Sequence, residues 1–493
     1  MNQKELEDHL WGAANILRGM IDAADFKQYI FPLLFFKRIS DIWDEEYQQA
    51  LEESGNDLSY AKFAENHRFQ IPEGCHWEDI RKKTVNVGDA LQKALNKIEK
   101  ANFEMFHDIF GDAQWTNKRR MSDEKLLNLI EHFNKMKLSA AEVPHDLMGE
   151  GYEYLIKKFA DDSGHTAAEF YTNRTVVKLM TQITDPKSTD SIYDPTCGSG
   201  GILLSAALHL KDQGKEYRSL KLYGQERNLI TSAIARINMF MHNVDEFLIV
   251  QGDTLESPQI LENDELKKFD VIMANPPYSV KIWDRQKWLN DSFGRNIWGT
   301  PPQGCADYAF QQHIMKSLNP VTGRSVVLWP HGILFRDAES SIRKRMIEED
   351  YVDAVIGLGK NLFYNSSMES CLLVCCMKKP PKRKGKIIFI DAKEEIRIDR
   401  SNAWLEPQHI QKITEVYHGF VEVDGFSKVV TIENVLKKDG NLNLQMHINQ
   451  EKESTEHNVS ELIKKIKSNQ NTINNNINSL FSLLENLEVK YEN

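Results

Sequence analysis

A glycine-rich motif in the middle of the sequence has the composition of a ligand-binding turn. The motif YDPTCGSGG, residues 193–201, follows a short β-rich run and precedes a helical pattern. Glycines at such a turn let the backbone approach a ligand and expose the first amides of the helix, where negative charge is favoured. The G-x-G-x-x-G pattern of dehydrogenases is absent, and Asp194 ahead of the glycines suits an ammonium group better than a pyrophosphate. A lone glycine loop also fits an ordinary turn, so its neighbours decide the interpretation.

The next two predicted strands both end in an acidic residue. Glu226 ends YGQE, where a carboxylate can accept both hydroxyls of a ribose. Asp253 follows FLIVQG, where it can accept a hydrogen bond from the exocyclic amine of an adenine. Each carboxylate is a weak signal alone, but with the glycine turn they describe one continuous nucleoside pocket. We expect its occupant to be S-adenosylmethionine.

The fourth predicted strand ends in ANPPY, residues 274–278, which is the most specific motif for a reaction. Its prolines fix φ and lack N–H donors, so the carbonyl of Pro276 can act as a bare acceptor beside the amide oxygen of Asn275. Two acceptors at an aromatic amine would stabilise the positive charge that develops as the nitrogen attacks a methyl group. Tyr278 can stack on a base that has left the double helix. The alternative is a proline-capped strand end with a core tyrosine.

These motifs lie in a region where short β-rich runs alternate with helical patterns. Helices are predicted at 202–210 and 229–241, between the early strands. Such alternation predicts an open α/β fold with a mostly parallel sheet covered on both faces. Only a short loop, FYNSSMES, separates two of the last strands, so we expect an antiparallel pair at the end of the sheet.

The flanking regions differ from this central part. Residues 10–147 have helical spacing, with Pro32 kinking a helix or lying near its start, and residues 55–77 indicate a long loop. We predict a helical N-terminal domain at 1–150, a methyltransferase catalytic domain at 151–425, a linker at 426–456 and a helical tail at 457–493.

The tail carries a stripe of apolar residues at alternating steps of four and three. Gln470 is its one polar position, and the apolar members are Val459, Ile463, Ile466, Ile473, Ile477, Leu480, Leu484, Leu487 and Tyr491. A stripe of this length predicts a coiled-coil seam that pairs with another helix. The alternative is a tail helix packed on its own domain.

Composition narrows the functional classes. No apolar run approaches the roughly 20 residues of a membrane helix, and the acidic N-terminus does not resemble a signal peptide, so we expect a cytoplasmic protein without a membrane partner. The six cysteines form no CxxC pair, which favours buried thiols in a reducing compartment, and no metal site is predicted. With 61 basic and 72 acidic residues the net charge is −11, so a partner or a local basic face must do much of any DNA binding.

The sequence resembles the modification subunits of type I restriction-modification systems, which are N6-adenine-specific DNA methyltransferases. The resemblance implies the class-I S-adenosylmethionine-dependent methyltransferase fold (Rossmann-like, a mostly parallel sheet with an antiparallel end). The resemblance spans nearly the whole chain. The motifs that carry it are EFYTNRTVV (169–177), DPTCGSGG, NPPY, GTPPQGCADYAFQQHI (299–314) and NLFYNSS (361–367). The family usually has proline after FYT, where this chain has Asn173, and we expect the loop to be more flexible for it.

The resemblance implies an adenine methyltransferase that works as two copies with one specificity subunit, which reads the bases, and that a motor-endonuclease subunit can join. It implies DNA as substrate and Phe363 as the aromatic residue on the opposite face of the target adenine, although a buried strand-edge phenylalanine is nearly as compatible. Residues 281–304 are expected to lie over the flipped base. The basic run 378–386 would contact phosphates or form a solvated loop. The predicted catalytic residues are Asn275, Pro276, Tyr278 and Phe363. The predicted cofactor-binding residues are Glu169, Phe170, Tyr171, Thr172, Asn173, Arg174, Asp194, Thr196, Gly198, Ser199, Gly200, Gly201, Glu226 and Asp253.

Two other classes stay open. A glutamine-N5 protein methyltransferase also uses NPPY, but it would not need the helical N-terminus, the heptad tail or the GTPP segment. A structural assembly subunit without catalysis would keep the helices and lose the chemistry, whereas the acidic and NPPY residues are intact. A dehydrogenase is weaker still.

Overall fold

The computed structural model describes residues 2–18, 25–162, 172–362, 368–399, 402–448 and 459–486. The chain divides into two compact units, Met1–Ile448 and Asn449–Asn493. Among the described residues no helix is long and apolar enough to cross a membrane.

The first part of the chain is helical, as predicted. Pro32 is the sixth residue of the long second helix, so that helix begins shortly before it. The expected loop at 55–77 contains only short turns until a helix begins at Trp77. The helices are α1 (Gln3–Leu17), α2 (Lys27–Glu53), α3 (Trp77–Arg81), α4 (Val87–Ala101), α5 (Phe103–Phe106), α6 (Asp123–Asn134) and α7 (His145–Asp162).

The second part alternates strands and helices. Its helices are α8 (Arg174–Thr184), α9 (Gly201–Asp212), α10 (Leu229–Met241), α11 (Arg285–Leu289), α12 (Asp307–Ser317), α13 (Ser340–Glu348), α14 (Pro407–Gly419) and α15 (Ile432–Leu436). Its strands are β1 (Ser191–Asp194), β2 (Lys221–Glu226), β3 (Phe247–Gln251), β4 (Leu261–Glu262), β5 (Glu265–Leu266), β6 (Val271–Ala274), β7 (Arg324–Pro330), β8 (Val352–Leu358), β9 (Ser370–Cys376), β10 (Lys386–Ala392), β11 (Arg397–Asp399), β12 (Asn402–Trp404) and β13 (Ser427–Thr431).

Nine strands form one sheet in the order β13-β10-β8-β9-β7-β6-β1-β2-β3. The predicted mostly parallel α/β fold is confirmed, because β1, β2, β3, β6 and β7 pair in parallel, as do β8 and β10. The predicted antiparallel pairing of β8 with β9 is also confirmed. However, β9 lies inside the sheet between β7 and β8, and the edge is formed by β13, antiparallel to β10.

The helical part and the sheet share the helix α10. Ile237 and Phe240 of α10 belong to the apolar core of the N-terminal helices, whereas Ala235 and Met239 belong to a core beneath the sheet. The hydroxyl of Tyr152 in α7 also donates to the carbonyl of Ile234 at 3.1 Å. These contacts join the two parts within the larger compact unit.

Two of the predicted domain boundaries do not coincide with gaps between elements of the structure. Residue 150 falls inside α7, whose apolar residues up to Ala160 pack in the helical core. The predicted linker at 426–456 contributes the edge strand β13 and helix α15, because Val429 and Val430 pack against the apolar cores of the sheet.

The second unit contains one described helix, α16 (Val459–Asn486), where the tail helix is predicted. Several of its apolar side chains are solvent-exposed, with Ile466 at 62% and Ile473 at 56% relative exposure. A helix with this pattern has an apolar face that another helix could cover.

Candidate active site

The strand order reverses between β1 and β6, and the predicted motifs meet there. The chain leaves β1 through β2 and β3 and returns as β6 on the other side of β1, with Tyr193 opposite Ile272. Open α/β sheets bind ligands at such a reversal, outside the carboxyl ends of the strands. Asp194 ends β1, and Asn275 directly follows the end of β6. The two halves of the predicted site therefore start from neighbouring strands.

Asp194 is fully buried and has an oxygen in reserve. Its Oδ1 accepts from the backbone N–H of Thr196 at 3.0 Å and from the Thr196 hydroxyl at 3.4 Å. Within the part of the chain that the structure describes, Oδ2 has no hydrogen-bond partner. Burial, together with the nearby Glu226 carboxyl, raises the pKa of Asp194 to about 8 against the lowering effect of the Thr196 N–H. A buried acceptor without a donor is costly unless a ligand supplies one.

The glycine motif forms a tight turn into α9 that leaves no room for side chains. Gly198 and Gly200 have φ of +53° and +80°, the left-handed region that glycine adopts without steric cost. A Cβ at Gly200 would lie 2.8 Å from the methyl group of Met239, and one at Gly201 would overlap the guanidinium of Arg174. That guanidinium also pairs with Glu153 of α7.

Ser199 lies in the same turn and is buried. Its carbonyl accepts a hydrogen bond from the side-chain amide of Asn238 in α10 at 3.0 Å. The turn is thus fixed from the helix beneath it, while Asp194 and Thr196 fix its first residues.

Glu226 connects the end of β2 to this turn. Its Oε2 accepts the backbone N–H of Gly198 at 3.1 Å, and its Oε1 accepts that of Asn228 at 2.8 Å. Burial raises the pKa of Glu226 in spite of these two hydrogen bonds. Each carboxylate oxygen has a second lone pair, so Glu226 can still accept from ligand hydroxyls.

Asp253 lies beyond the end of β3 and is more open to solvent. Its Oδ1 accepts from the backbone N–H groups of Leu255 and Glu256 at 2.9 and 3.2 Å. Its Oδ2 lies 3.5 Å from Nε of Arg227. The carboxylate therefore stabilises its own loop and faces the solvent-exposed guanidinium of Arg227.

The turn after β6 brings three predicted residues into contact. The side-chain amide of Asn275 donates to the Thr172 hydroxyl at 3.0 Å, and its Oδ1 accepts from the hydroxyl of Tyr278. Burial raises the pKa of Tyr278, so its hydroxyl stays protonated and acts as a donor. Pro276 is buried beneath this turn. Both polar atoms of Asn275 thus have partners, although its amide oxygen can accept a second hydrogen bond.

Asn173 is held by three side-chain hydrogen bonds. Its Oδ1 accepts from the N–H and hydroxyl of Thr175 at 3.0 and 2.7 Å, which caps α8. Its Nδ2 donates to the carbonyl of Ala403 at 2.8 Å. The expected loosening of this loop does not take account of these bonds, which a proline could not make.

Four predicted site residues, Glu169, Phe170, Tyr171 and Phe363, lie outside the described residues.

Sequence reasoning missed a buried charged cluster behind the Asn275–Tyr278 turn. Asp307, the first residue of α12, accepts the N–H of Ser279 at 2.7 Å and pairs with Arg336 at 2.5 Å. Arg336 also pairs with Glu339 at 2.7 Å. The sequence signal was a single carboxylate in the segment CADYAF, which lies 28 residues from Ser279 along the chain.

The basic run at 378–386 serves the fold to a large extent. The ammonium of Lys379 donates to Asp350 and to the Lys386 carbonyl at 2.6 and 2.7 Å. Arg383 pairs with Asp353 at 2.6 Å, and Lys382 donates to the Gly419 carbonyl at 2.9 Å. Half of the six cations are therefore engaged within the chain, which favours the loop interpretation over a phosphate-binding face.

Residues 281–304 form a loop with buried anchors. Arg295 is 1% exposed, pairs with Asp291 and donates to the carbonyls of Thr254 and Leu255 at 2.7 and 2.9 Å. The loop after β3 and the loop after β6 are thereby connected.

The cysteines of the described chain are free thiols, and all except Cys376 are buried, as predicted.

The fold and the turn after β6 define an adenine-specific DNA methyltransferase. A family model described as N-6 DNA Methylase matches residues 143–456, and one described as HsdM N-terminal domain matches residues 6–133. The chain belongs to the N-6 DNA methylase family, among the methylase subunits of type I restriction enzymes. The predicted family and enzyme class are confirmed.

Relatives resemble the chain along most of its length. It is 29% identical to the type I restriction enzyme MpnII methylase subunit of Mycoplasma pneumoniae, over 98% of each chain. It is 30% identical to the MjaVII methylase subunit of Methanocaldococcus jannaschii, over 88% of this chain and 76% of that protein. The crystal structure of a type I restriction-modification methyltransferase subunit from Streptococcus thermophilus superposes with a TM-score of 0.78 and 28% identity, covering 91% of this chain and all of that one.

Proposed function

We propose that this chain transfers the methyl group of S-adenosylmethionine to N6 of adenine in DNA, as the modification subunit of a type I restriction-modification complex in the cytoplasm. The observation that carries the proposal is the adjacency of β1 and β6, which places the reserve oxygen of Asp194 and the Asn275–Tyr278 turn at neighbouring strand ends.

The residues at the ends of β1, β2 and β3 fit S-adenosylmethionine. Oδ2 of Asp194 is a buried acceptor that the ammonium group of the cofactor would satisfy. Gly200 and Gly201 let the turn pack closely on Met239 and Arg174, where Cβ atoms would clash, and so hold it beside the end of β1. Glu226 would hold the ribose hydroxyls and Asp253 the adenine amine, with Thr196 and the loop 169–174 completing the cofactor-binding set.

When bound, S-adenosylmethionine supplies an activated methyl group, and the residues after β6 present the amine to it. Oδ1 of Asn275 and the carbonyl of Pro276 would each accept a hydrogen bond from the N6 amine. These two acceptors would stabilise the positive charge that develops on the nitrogen. Tyr278 would stack on one face of the flipped adenine and Phe363 on the other. Neither Asn275 nor the protonated Tyr278 is a strong base, so this turn works by positioning and electrostatics.

The remaining part of the proposal concerns partners. We propose that two copies of the chain join one specificity subunit through α16, and that a motor-endonuclease subunit binds to this complex. Ile466, Ile473 and Leu480 of α16 are exposed, and the chain's charge of −11 is unfavourable for binding DNA alone. Deleting the residues after Glu456 should leave a folded chain that binds cofactor, does not assemble and does not methylate DNA.

Light scattering on chains co-expressed with their genomic neighbours tests this role of α16. Ile473→Asp, on the apolar stripe, should weaken assembly, whereas Asn475→Asp adds the same charge off the stripe and should not. A deleted chain that still forms the full complex would show that the tail packs on its own domain.

Methylation mapping tests the reaction. The chain is co-expressed with its genomic neighbours, and host DNA is analysed by single-molecule sequencing, with Asn275→Ala as the inactive counterpart. We expect N6-methyladenine at defined sites with the wild type only. Label from S-adenosylmethionine found in protein instead would support a glutamine methyltransferase, and no transfer at all would support a structural subunit.

A further inference from the structure

The residue that follows the catalytic turn has an unusual backbone conformation. Ser279 has φ +50°, in the left-handed region, which costs a residue with a side chain some steric strain. It lies directly after Tyr278, whose hydroxyl is bound to Asn275. The path of the backbone at Tyr278 therefore depends on the strained conformation of Ser279. Other contacts must stabilise that conformation.

Asp307 holds it. This carboxylate is 0% exposed, and its Oδ1 accepts the N–H of Ser279 at 2.7 Å. A short hydrogen bond to an ionised acceptor is stronger than one between neutral groups. Because Asp307 is the first residue of α12, an eleven-residue helix packed in the core, its position is fixed by the fold.

Arg336 fixes the carboxylate itself. Its guanidinium bridges Oδ2 of Asp307 at 2.5 Å and Glu339 at 2.7 Å, so each oxygen of Asp307 has its own donor. Burial alone would lower the pKa of Arg336, but these two hydrogen bonds outweigh it and raise that pKa. Thiol and carboxylate atoms of Cys305, Asp307 and Glu339 also lie within 4.8 Å of one another, but the guanidinium between the two carboxylates disfavours a metal ion there.

We propose that Asp307 is a positioning residue for methyl transfer: it holds Ser279 in the left-handed conformation and so fixes Tyr278 and Asn275 for the target amine. The inference rests on the proposed function, since it assigns the means by which the catalytic turn is held. Arg336 and Glu339 stabilise the Asp307 carboxylate. Among the described residues, the side-chain hydrogen bonds that join these three residues do not include one to the turn itself.

Replacing Asp307 by asparagine separates its two contacts. The asparagine oxygen would face the guanidinium of Arg336, which leaves the asparagine NH₂ against the N–H of Ser279. Two donors then face each other, the hydrogen bond to Ser279 is lost, and the turn relaxes from φ +50°. Misplacing reacting groups by about 1 Å can cost about 100-fold in rate, so we expect kcat to fall by about 10-fold to 100-fold.

Asp353→Asn is the matched control. Asp353 is also buried and also pairs with an arginine, Arg383 at 2.6 Å, and with the Tyr417 hydroxyl at 2.9 Å. It lies near the amino-terminal end of β8, whereas the site lies at the carboxyl ends of the parallel strands. Both substitutions remove the negative charge from a buried ion pair, but only Asp307→Asn should lower kcat.

Substitutions at Ser279 provide the rescue and a second test. Glycine adopts φ +50° without strain and keeps the N–H, so Ser279→Gly in the Asp307→Asn background should recover about tenfold of the lost kcat. Valine disfavours that conformation, and Ser279 is only half-buried, so Ser279→Val should fold and show the same loss of kcat. This second variant keeps the test valid if Asp307→Asn does not fold.

The assay uses the complex formed with the genomically encoded partner subunits. It measures kcat, KM for DNA, and the affinity for S-adenosylhomocysteine by calorimetry. We expect Asp307→Asn and Ser279→Val to lower kcat while KM for DNA and product affinity stay within about threefold. Equal kcat for Asp307→Asn and Asp353→Asn, no rescue by Ser279→Gly, or a fully active Ser279→Val would overturn the inference. No methyl transfer to DNA by the wild-type complex would instead overturn the proposed function.

Discussion

The two halves of the crevice use their polar side chains in opposite ways. At the end of β1, Asp194 is buried with one oxygen that has no partner among the described residues. After β6, both polar atoms of Asn275 have partners, Thr172 and Tyr278. The first half is kept open by backbone geometry at a cost in stability, whereas the second is closed by hydrogen bonds that a substrate must share or replace. Ligand binding should therefore supply the missing hydrogen bond to Asp194 in the first half. In the second half it should replace or share the hydrogen bonds of Asn275.

The largest effect should come from Asn275→Ala. By analogy with the loss of one oxyanion-type hydrogen bond, we expect methyl transfer to fall by about 100-fold to 1000-fold. Cofactor affinity should be nearly unchanged, because Asn275 belongs to the closed half. Asn134→Ala is the control, since it removes a comparable side-chain partner, that of Trp77 at 3.1 Å, from the helical part. A parallel loss of cofactor binding in calorimetry would move Asn275 into the cofactor pocket.

Asp194→Asn, in the open half, should lower cofactor affinity, which Asn275→Ala leaves nearly unchanged. A charge-assisted hydrogen bond contributes about 1.5–3 kcal/mol, so affinity for S-adenosylmethionine should fall by about 10-fold to 100-fold. Glu226→Ala should have a similar effect, and Asp253→Ala a smaller one because that carboxylate is partly exposed. Titration calorimetry on folded variants measures these affinities. Wild-type affinity in all three would contradict the pocket.

Tyr278→Phe tests whether the closed half must open. Phenylalanine keeps the ring for stacking and removes the hydroxyl that binds Oδ1 of Asn275, which both frees that acceptor and loosens it. Since these consequences oppose each other, we expect kcat to stay within about tenfold of the wild type. A loss as large as that of Asn275→Ala would mean that the hydroxyl itself takes part in the reaction.

The smallest effect should be a pH dependence of stability without ligand. The folded-state pKa of Asp194, about 8, lies above the ordinary 3.8, so its contribution to stability is full below pH 4 and is lost as pH rises toward 8. Asp194→Asn has no such group to ionise. At pH 9 we expect the variant to melt about 2 °C or more above the wild type, with the difference vanishing near pH 4. A melting difference that does not change with pH would contradict the buried, unpaired carboxyl.

Elements of the fold were predictable where a period repeats locally. The predicted helix 229–241 matches α10, because a β-rich run and a helical pattern each depend on neighbouring residues. The place of β9 inside the sheet was not predictable, because a strand buried on both faces has the same pattern whichever strands flank it.

The same distinction holds for the site. Asp194 and Asn275 could be identified because strand ends and motif chemistry are written within a few residues. The roles of Asn173 and Asp307 could not, since Asn173 reaches Ala403 and Asp307 reaches Ser279 across the fold. A hydrogen bond between distant segments leaves no spacing in the sequence.

The sharing of α10 between two cores has a consequence for synthesis. The N-terminal helices need Ile237 and Phe240 to complete their apolar core, although they end more than 70 residues earlier at Asp162. At about 5–20 residues per second, the ribosome adds those residues several seconds after the last N-terminal helix. During that interval the nascent chain carries an incomplete apolar core, and we expect chaperones that bind emerging polypeptides to contact it.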